Sequence, residues 1–404
     1  MRILISGASI AGPVLAYWLQ RYGFQPTLVE RAPGVRKTGG HAVDLFRPAI
    51  EIVERMGLLP QVHNRSTGTD RMTLLREGKP PLEIDLVRVM AAISDRHLEI
   101  LRDELSEVLH GALGGGVETL FGDSIRALRQ DETGVDVEFE HGAPRRFELV
   151  IGADGLHSGV RRLVFGPESD FSHFLGAYLA VLTLPHQLEL SNRALLYSSV
   201  RRVVGVYSAR NLPDARAVFM WRSERPLPVH HRDVAGQKQC VREAFAGLGW
   251  EVPRLLAELE PTPAFYFDSI TQLRMDSWSR GRITLVGDAG YCPGPAVGGS
   301  TSLAVVGAYV LAGELVAAGG DPVRAFPAYE AALQDYVRDS RVFALQTTRQ
   351  LIPDSRTALW LQAQVLRALG GLPQPLLRTL SSLSHLRTRL HDTVQVRDYS
   401  QFCQ

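Results

Sequence analysis

Arg2-Ile3-Leu4-Ile5-Ser6-Gly7-Ala8-Ser9-Ile10-Ala11-Gly12-Pro13-Val14-Leu15-Ala16-Tyr17-Trp18-Leu19-Gln20 decides the fold of this 404-residue chain. Arg2 to Ser6 reads as a buried parallel strand, and the apolar run from Pro13 to Gln20 reads as a helix. Between them, Gly7 permits a tight turn and Gly12 lets helix and strand approach closely, while Ser9 stands where the usual pattern has its middle glycine. The amides around Ile10 and Ala11 then face outward at a helix N-terminus, whose positive dipole end suits a pyrophosphate. The next strand, Pro26-Thr27-Leu28-Val29, ends at Glu30, 18 residues past Gly12. An acid there accepts hydrogen bonds from adenosine ribose hydroxyls and repels a phosphate on the same sugar. A dinucleotide-binding α/β sheet is the expectation, against the plainer reading of a Gly-rich connection. On these residues alone FAD and NAD remain open.

Two later segments ask for the same ligand. Leu149-Val150-Ile151-Gly152-Ala153 is a second buried strand that delivers Asp154-Gly155 to its C-terminal end, where open α/β sheets bind ligands. The competing reading makes Asp154 a helix cap. Ile283-Thr284-Leu285-Val286 repeats the arrangement with Gly287-Asp288, and a helix is expected over Ala304 to Ala317. Gly294, Pro295, Gly298 and Gly299 lie between, so a flat ring system can approach that loop's backbone.

Asp154-Gly155-Leu156-His157-Ser158-Gly159-Val160-Arg161, with Gly287-Asp288 and Pro295 seven residues later, resembles the group A flavoprotein monooxygenases. This is the p-hydroxybenzoate hydroxylase family, and the likeness is closest to its tetracycline-modifying and antibiotic-tailoring branch, extending to about Ala344. The resemblance implies that Gly7, Ser9, Ile10, Ala11, Gly12 and Glu30 hold the ADP half of FAD. It implies that Asp288 contacts the ribityl chain or pyrophosphate, and that Pro295 with the backbone of Val297, Gly298, Gly299, Ser300, Thr301 and Ser302 lies against the isoalloxazine. Asp154 is implied in FAD and NAD(P)H binding, Arg102 in FAD binding at the start of a helix, Arg31 near the adenine, and Asp44 near the flavin. Arg36 and Arg47 are candidates to meet a nicotinamide's phosphates. The sequence departs from the family at Gly290-Tyr291, where Ala-His is usual, and in Gly298-Gly299-Ser300-Thr301-Ser302.

From Phe171 to Phe267 strand-like runs dominate, among them Tyr178 to Leu184, Val203 to Tyr207 and Ala217 to Trp221. They suggest a mostly antiparallel sheet, which in the resembled family roofs the flavin and forms the substrate pocket. Tyr197, Tyr207, Phe219 and Trp221 are then pocket candidates, with ordinary sheet core as the alternative. The expected division is a discontinuous FAD-binding domain over 1–70, 96–170 and 276–340, a substrate sheet over 71–95 and 171–275, and a helical segment over 341–404. Apolar periodicity around Leu359-Trp360-Leu361 and Val365-Leu366, then Leu376-Leu377, Leu380 and Leu383, predicts helices docked on the FAD domain or a second subunit. A basic amphipathic helix on a membrane surface is the competing reading.

Forty-four Lys and Arg against 43 Asp and Glu give a formal charge of +1, which offers no global field for nucleic acid. Cys240, Cys292 and Cys403 are odd in number and lack any Cys-x-x-Cys, which fits a reducing cytoplasm and gives no support to a metal site. The expected function is NAD(P)H- and O2-dependent oxygenation of an aromatic or polycyclic small molecule by a monomer or homodimer. The cofactor carries the chemistry, so no side chain is singled out as catalytic. A halogenase is disfavoured because no Trp-x-Trp-x-Ile motif is present. A non-redox FAD protein of pericyclase type and an NAD-dependent dehydrogenase are the alternatives.

Overall fold

A computed structural model describes residues 1–35, 40–185, 190, 192–210, 214–297, 299–371 and 394–402. Its strands are β1 Arg2–Ser6, β2 Gln25–Glu30, β3 Ala42–Phe46, β4 Arg71–Arg76, β5 Lys79–Asp85, β6 His97–Leu101, β7 Glu118–Phe121, β8 Ile125–Gln130 and β9 Val135–Phe139. They continue with β10 Arg145–Phe147, β11 Leu149–Gly152, β12 Ser172–Pro185, β13 Arg193–Ser199, β14 Arg202–Ser208, β15 Asp214–Arg222, β16 Phe265–Leu273, β17 Ser279–Arg280 and β18 Ile283–Leu285. The helices are α1 Ala11–Arg21, α2 Arg47–Arg55, α3 Leu59–Asn64, α4 Leu86–Ile93, α5 Arg102–Gly111, α6 Gly159–Val164, α7 Val234–Phe245, α8 Val252–Ala257, α9 Asp288–Tyr291, α10 Ser300–Ala317, α11 Pro322–Leu351 and α12 Arg356–Gly371.

The first sheet has the order β17-β18-β11-β1-β2-β7, parallel except for the edge strand β17. Parallel strands are covered on both faces, which is why Ile3, Leu4, Ile5, Leu149, Val150 and Ile151 are all fully buried. Helices α1 and α10 cover one face, locked by an edge-to-face contact of Trp18 with Tyr309 at 4.8 Å between ring centroids. Among the described residues α10 is the one helix long and apolar enough to cross a membrane, and most of it is buried inside the protein. Its first turn is earlier than the apolar periodicity predicts, because Ser300, Thr301 and Ser302 belong to the helix rather than to the preceding loop.

The larger sheet has the order β16-β12-β15-β14-β13-β4-β5, antiparallel apart from the β13–β4 pair. One face packs Phe219, Trp221 and Tyr178 against Val241 and Phe245 of α7 and Val252 and Leu255 of α8. Truncating a buried aromatic of this kind to alanine costs about 3–5 kcal/mol. The opposite face presents Leu179, Val181, Val203, Met220 and Ile270 to Val297, Ala344 and Ile352, so this sheet closes over the loop that precedes α10. A two-stranded pair, β3 with β6, lies between the two sheets.

Within the chain, the C-terminal helix docks on the larger sheet rather than on the FAD-binding domain. Helix α12 lays Ala363 and Leu366 on Leu74, Leu82 and Ile84, at the far edge of the larger sheet, and leaves Trp360, Leu361 and Val365 exposed. The apolar residues around Leu376, Leu377, Leu380 and Leu383 fall outside the described residues. The segment that reaches the first sheet's body is the terminal stretch, where Tyr399 is fully buried against α10.

Candidate functional site

The three turns meet because their strands are adjacent. Ser6 of β1 pairs with Gly152 of β11, and Gly152 pairs with Leu285 of β18, so each chain leaves the sheet at the same edge. Backbone bonds tie the exits together: Gly7 N–H donates to the Val29 carbonyl at 2.8 Å, Ala153 N–H to Ser6 at 2.7 Å and Val286 N–H to Gly152 at 2.8 Å. Gly7 adopts a φ of +107°, and a Cβ there would stand 2.4 Å from the Ala153 carbonyl oxygen. No side chain fits, so the glycine is what lets the first and second turns touch. Gly287, with a φ of +66°, faces Ala11 and Ala304 and brings the third turn against the first.

Charged groups surround this junction. Arg102, the first residue of α5, places its Nη2 and Nε at 3.2 and 3.3 Å from the Ser9 hydroxyl. Glu30 at the tip of β2 accepts from the Ala8 and Ala32 amides, both at 2.9 Å, which fixes its carboxylate beside the glycine turn. Helix α1 starts after Ile10, which supplies no side-chain cap, so its first amides stay available to an anion. Arg31 is exposed next to Glu30. Burial pushes the Asp288 carboxyl up and the Asp268 charge adds to this, partly offset by the Arg102 charge and a bond to Cys292.

Asp154 stands at the centre with its carboxylate engaged: it accepts from the Ser158 hydroxyl at 2.5 Å and from the Gly159 and Val160 amides at 2.8 and 3.1 Å. Its carboxylate thus takes the first two amides of α6 beside the N-cap Ser158, while its backbone lies against Gly7. In the third turn Pro295 and Val297 are buried, and Ala296 holds a left-handed φ of 62°. Gly299, at φ 65°, leads into α10. Ser300 and Thr301 stay half-buried, whereas the Ser302 hydroxyl is consumed by β3, accepting from Phe46 N–H at 2.9 Å and donating to the Asp44 carbonyl at 3.1 Å. Gly298 and Arg36 lie outside the described residues, and Arg47 is held by Asp95.

Asp44 sits on the face of β3 turned toward the larger sheet, 2.7 Å from His97 Nε2 and opposite Glu99 in the β3–β6 ladder. Burial, then the Asp44 charge, raises the Glu99 carboxyl to about 7 against the opposing hydrogen bond from Thr67. Burial acts to lower the His97 pKa, but Asp44 and Glu99 outweigh it and the net shift is upward.

Of the four aromatic pocket candidates, only Tyr207 faces this space, accepting from Ala42 N–H at 2.7 Å. Tyr197, Phe219 and Trp221 lie on the opposite face, where Tyr197 stacks on Trp250 and the other two meet Phe245 edge-on. Alternation along a strand marks two faces, and α7 and α8 cover the one these three occupy. Residues that the sequence reading passed over line the inner face instead. Arg216 donates to the Gly40 carbonyl at 3.1 Å, and the Tyr266 ring lies tilted beside His41 at 5.1 Å between ring centroids. Arg216 left a signal, as an arginine set between the apolar Ala215 and Ala217 of β15.

A family described as FAD binding domain matches residues 1–350. The chain belongs to this family. A flavin-dependent monooxygenase of Legionella longbeachae is 39% identical over 352 residues, covering 87% of this chain and 90% of its own. An uncharacterized protein of Mycobacterium tuberculosis is 44% identical over 337 residues, covering 83% of this chain and 90% of its own. Among solved structures, the tetracycline destructase Tet(55) superposes with a TM-score of 0.81 at 35% identity, over 98% of each chain. The protein is a flavin-dependent monooxygenase of the group A type, an oxidoreductase acting with O2 on a small molecule. FAD is therefore the resident dinucleotide rather than NAD, and the glycine turns, the uncapped start of α1, Arg102 and Glu30 fit its diphosphate and ribose.

Proposed function

We propose that this monooxygenase uses NAD(P)H and O2 to oxygenate an aromatic or polycyclic substrate held between the β3–β6 pair and the inner face of the larger sheet. When bound, FAD supplies the electron transfer and oxygen activation. The chain's own residues do the rest. Gly7, Ser9, Ile10, Ala11, Gly12, Glu30 and Arg102 hold the dinucleotide's diphosphate and adenosine half, and Asp288 with Pro295, Val297 and the first turn of α10 holds the flavin half. Asp44, His97, Glu99, Tyr207 and Arg216 give the substrate space a polar wall. The larger sheet closes the site from water, which suppresses loss of the activated oxygen as peroxide.

The observation that carries this reading is the convergence of three strand-end turns on one spot with Arg102 above Ser9. Tet(55) being a tetracycline destructase supports a flat, oxygen-rich polycycle as the first substrate class to try. The cytoplasm is the setting that fits the free thiols Cys240 and Cys292. The test is anaerobic mixing of the FAD-loaded protein with NADPH or NADH, followed by oxygen uptake against phenols, polyketides and tetracyclines. Loss of flavin colour and a substrate-dependent rise in oxygen uptake are expected. Flavin that neither nicotinamide bleaches, with any of these compounds present, sinks the reading and favours a non-redox use of FAD.

A further inference from the structure

One cluster of titratable groups lies outside the contacts described so far, at the seam between the turn after β11 and the edge strand β16. His157, in the Asp154–Ser158 turn, places Nδ1 at 3.0 Å from a Glu168 carboxylate oxygen and Nε2 at 3.6 Å from Asp268. Asp268 in turn accepts from the Tyr266 hydroxyl at 3.3 Å. Tyr266 and Asp268 are two apart on β16 and so share its inner face. At the inner end, Tyr266 lies tilted beside His41 and feels the charges of Arg102 and Asp288. At the outer end, the imidazole of His157 is partly exposed and stacks on His231 at 4.3 Å. The groups run in a line from solvent to the flavin cleft.

We propose that His157, Asp268 and Tyr266 are positioning residues that pass to the cleft the proton consumed in each turnover. The inference rests on the reading above, in which substrate-H + O2 + NAD(P)H + H+ gives substrate-OH + NAD(P)+ + H2O. Without substrate the balance is NAD(P)H + O2 + H+ to NAD(P)+ + H2O2, so a proton is taken up either way. His157 releases the Nε2 proton to the Asp268 carboxylate. The Tyr266 hydroxyl, which donates to Asp268 at rest, turns its proton into the cleft and releases it there as Asp268 hands its own proton to the Tyr266 oxygen, and the exposed imidazole is reprotonated from water. Each transfer breaks one N–H or O–H bond and forms another, with no change of oxidation state.

The electrostatics support the geometry. Burial acts to lower the His157 pKa, but Asp268 and Glu168 outweigh it and raise the value to about 9, so the imidazole is loaded at neutral pH. His231 is driven the other way, to about 4, by burial and then by the charges of His157, His230 and Arg232, so it stacks as a neutral ring. Burial acts to raise the Glu168 pKa, but His157 and then Arg161, which donates to it at 2.9 Å, outweigh burial and hold the value below the usual range. Asp288, Cys292 and the Arg102 charge also act on Tyr266, and the Tyr178 hydroxyl feels the Asp268 charge.

Two measurements test the proposal. In the FAD-free protein, histidine NMR is expected to show the His157 imidazolium persisting to about pH 9. Asp268→Asn should lower that titration by about one unit or more. A wild-type midpoint near the free value of about 6.5 overturns the proposal. In the FAD-loaded protein, photoreduced flavin is mixed with O2, a reaction that needs no nicotinamide. Tyr266→Phe and Asp268→Asn should retain FAD but react about tenfold more slowly at pH 8, with a larger solvent deuterium effect and recovery on acidification. Rates and pH profiles equal to wild type in Tyr266→Phe, which keeps the ring packing, overturn it. A photoreduced protein that shows the proton step while neither nicotinamide reduces it would count against the co-substrate reading and leave this relay standing.

Discussion

The Arg102 guanidinium stands 3.2 Å from the Ser9 hydroxyl, so the cation that opens α5 is held directly over the glycine turn. Glu30 lies on the other side of that turn, bonded to the Ala8 amide. The pair gives the turn a positive side for a diphosphate and a negative side for a ribose. Charge-assisted hydrogen bonds contribute about 1.5–3 kcal/mol each. Arg102→Gln is therefore expected to weaken FAD binding about tenfold or more, read by flavin fluorescence during reconstitution. Ser9→Gly should change it by less than about threefold, because glycine suits this position of the turn. Equal affinity in wild type and Arg102→Gln would remove the guanidinium from the cofactor site.

A second relationship accounts for the unusual Gly290-Tyr291. Tyr291 turns away from the cleft into the layer between α10 and α11, where its hydroxyl meets Tyr329 at 2.9 Å and its ring packs on Trp278. A Cβ at Gly307 would stand 2.0 Å from the Tyr291 oxygen, so the glycine on α10 makes room for the tyrosine. Gly307→Ala should destabilise the protein by about 1–3 kcal/mol through overpacking. Adding Tyr291→Phe to it should restore part of that loss, because the clashing oxygen is gone. A double variant no more stable than Gly307→Ala in chemical denaturation would break the argument.

The first sheet was legible because its signals are local. A strand, a glycine turn, a helix and an acid at the next strand end occupy 30 residues, and each piece constrains its neighbour. The inner face of the larger sheet was not legible. Ala217-Val218-Phe219-Met220-Trp221 is apolar on both faces, so which side α7 and α8 cover, more than ten residues further along, leaves no mark within the strand. Aromatic size pointed to Phe219 and Trp221, whereas the cleft took Arg216, Tyr266 and Asp268. Asp154 shows a third case, in which a motif residue occupies the expected place while its carboxylate serves a helix cap.

Glu99 makes stability depend on pH with a definite sign. Its carboxyl is raised from an unfolded value of about 4.5 to about 7, so folding favours the protonated form. The contribution is complete below about 4.5 and is lost as pH rises through about 7. Glu99→Gln keeps a neutral hydrogen-bonding group there at every pH. The variant should gain a few degrees in unfolding temperature relative to wild type at pH 8 and little or nothing at pH 4.5. A gain of equal size at both pH values, or a loss at pH 8, contradicts the assignment.

The chain's end is expected to matter as much as its beginning. Tyr399 is fully buried: its ring covers Gly313 of α10, its hydroxyl donates to Glu314 at 2.5 Å, and its amide donates to the Tyr309 hydroxyl at 3.2 Å. Tyr309 also accepts from Arg55 of α2 at 2.9 Å and meets Trp18 of α1 edge-on. One terminal residue thus ties together α1, α2 and α10, and α10 begins at the turn that carries Pro295. Tyr399→Ala opens a cavity and leaves Glu314 without its hydroxyl partner, a loss of about 3–5 kcal/mol. Tyr399→Phe removes only the hydrogen bond, about 1–3 kcal/mol. Because α10 is the shared element, FAD retention after heating should fall in the same order, wild type above Tyr399→Phe above Tyr399→Ala. Unfolding temperatures that do not separate Tyr399→Ala from wild type would show that the terminal segment is not part of this core in solution.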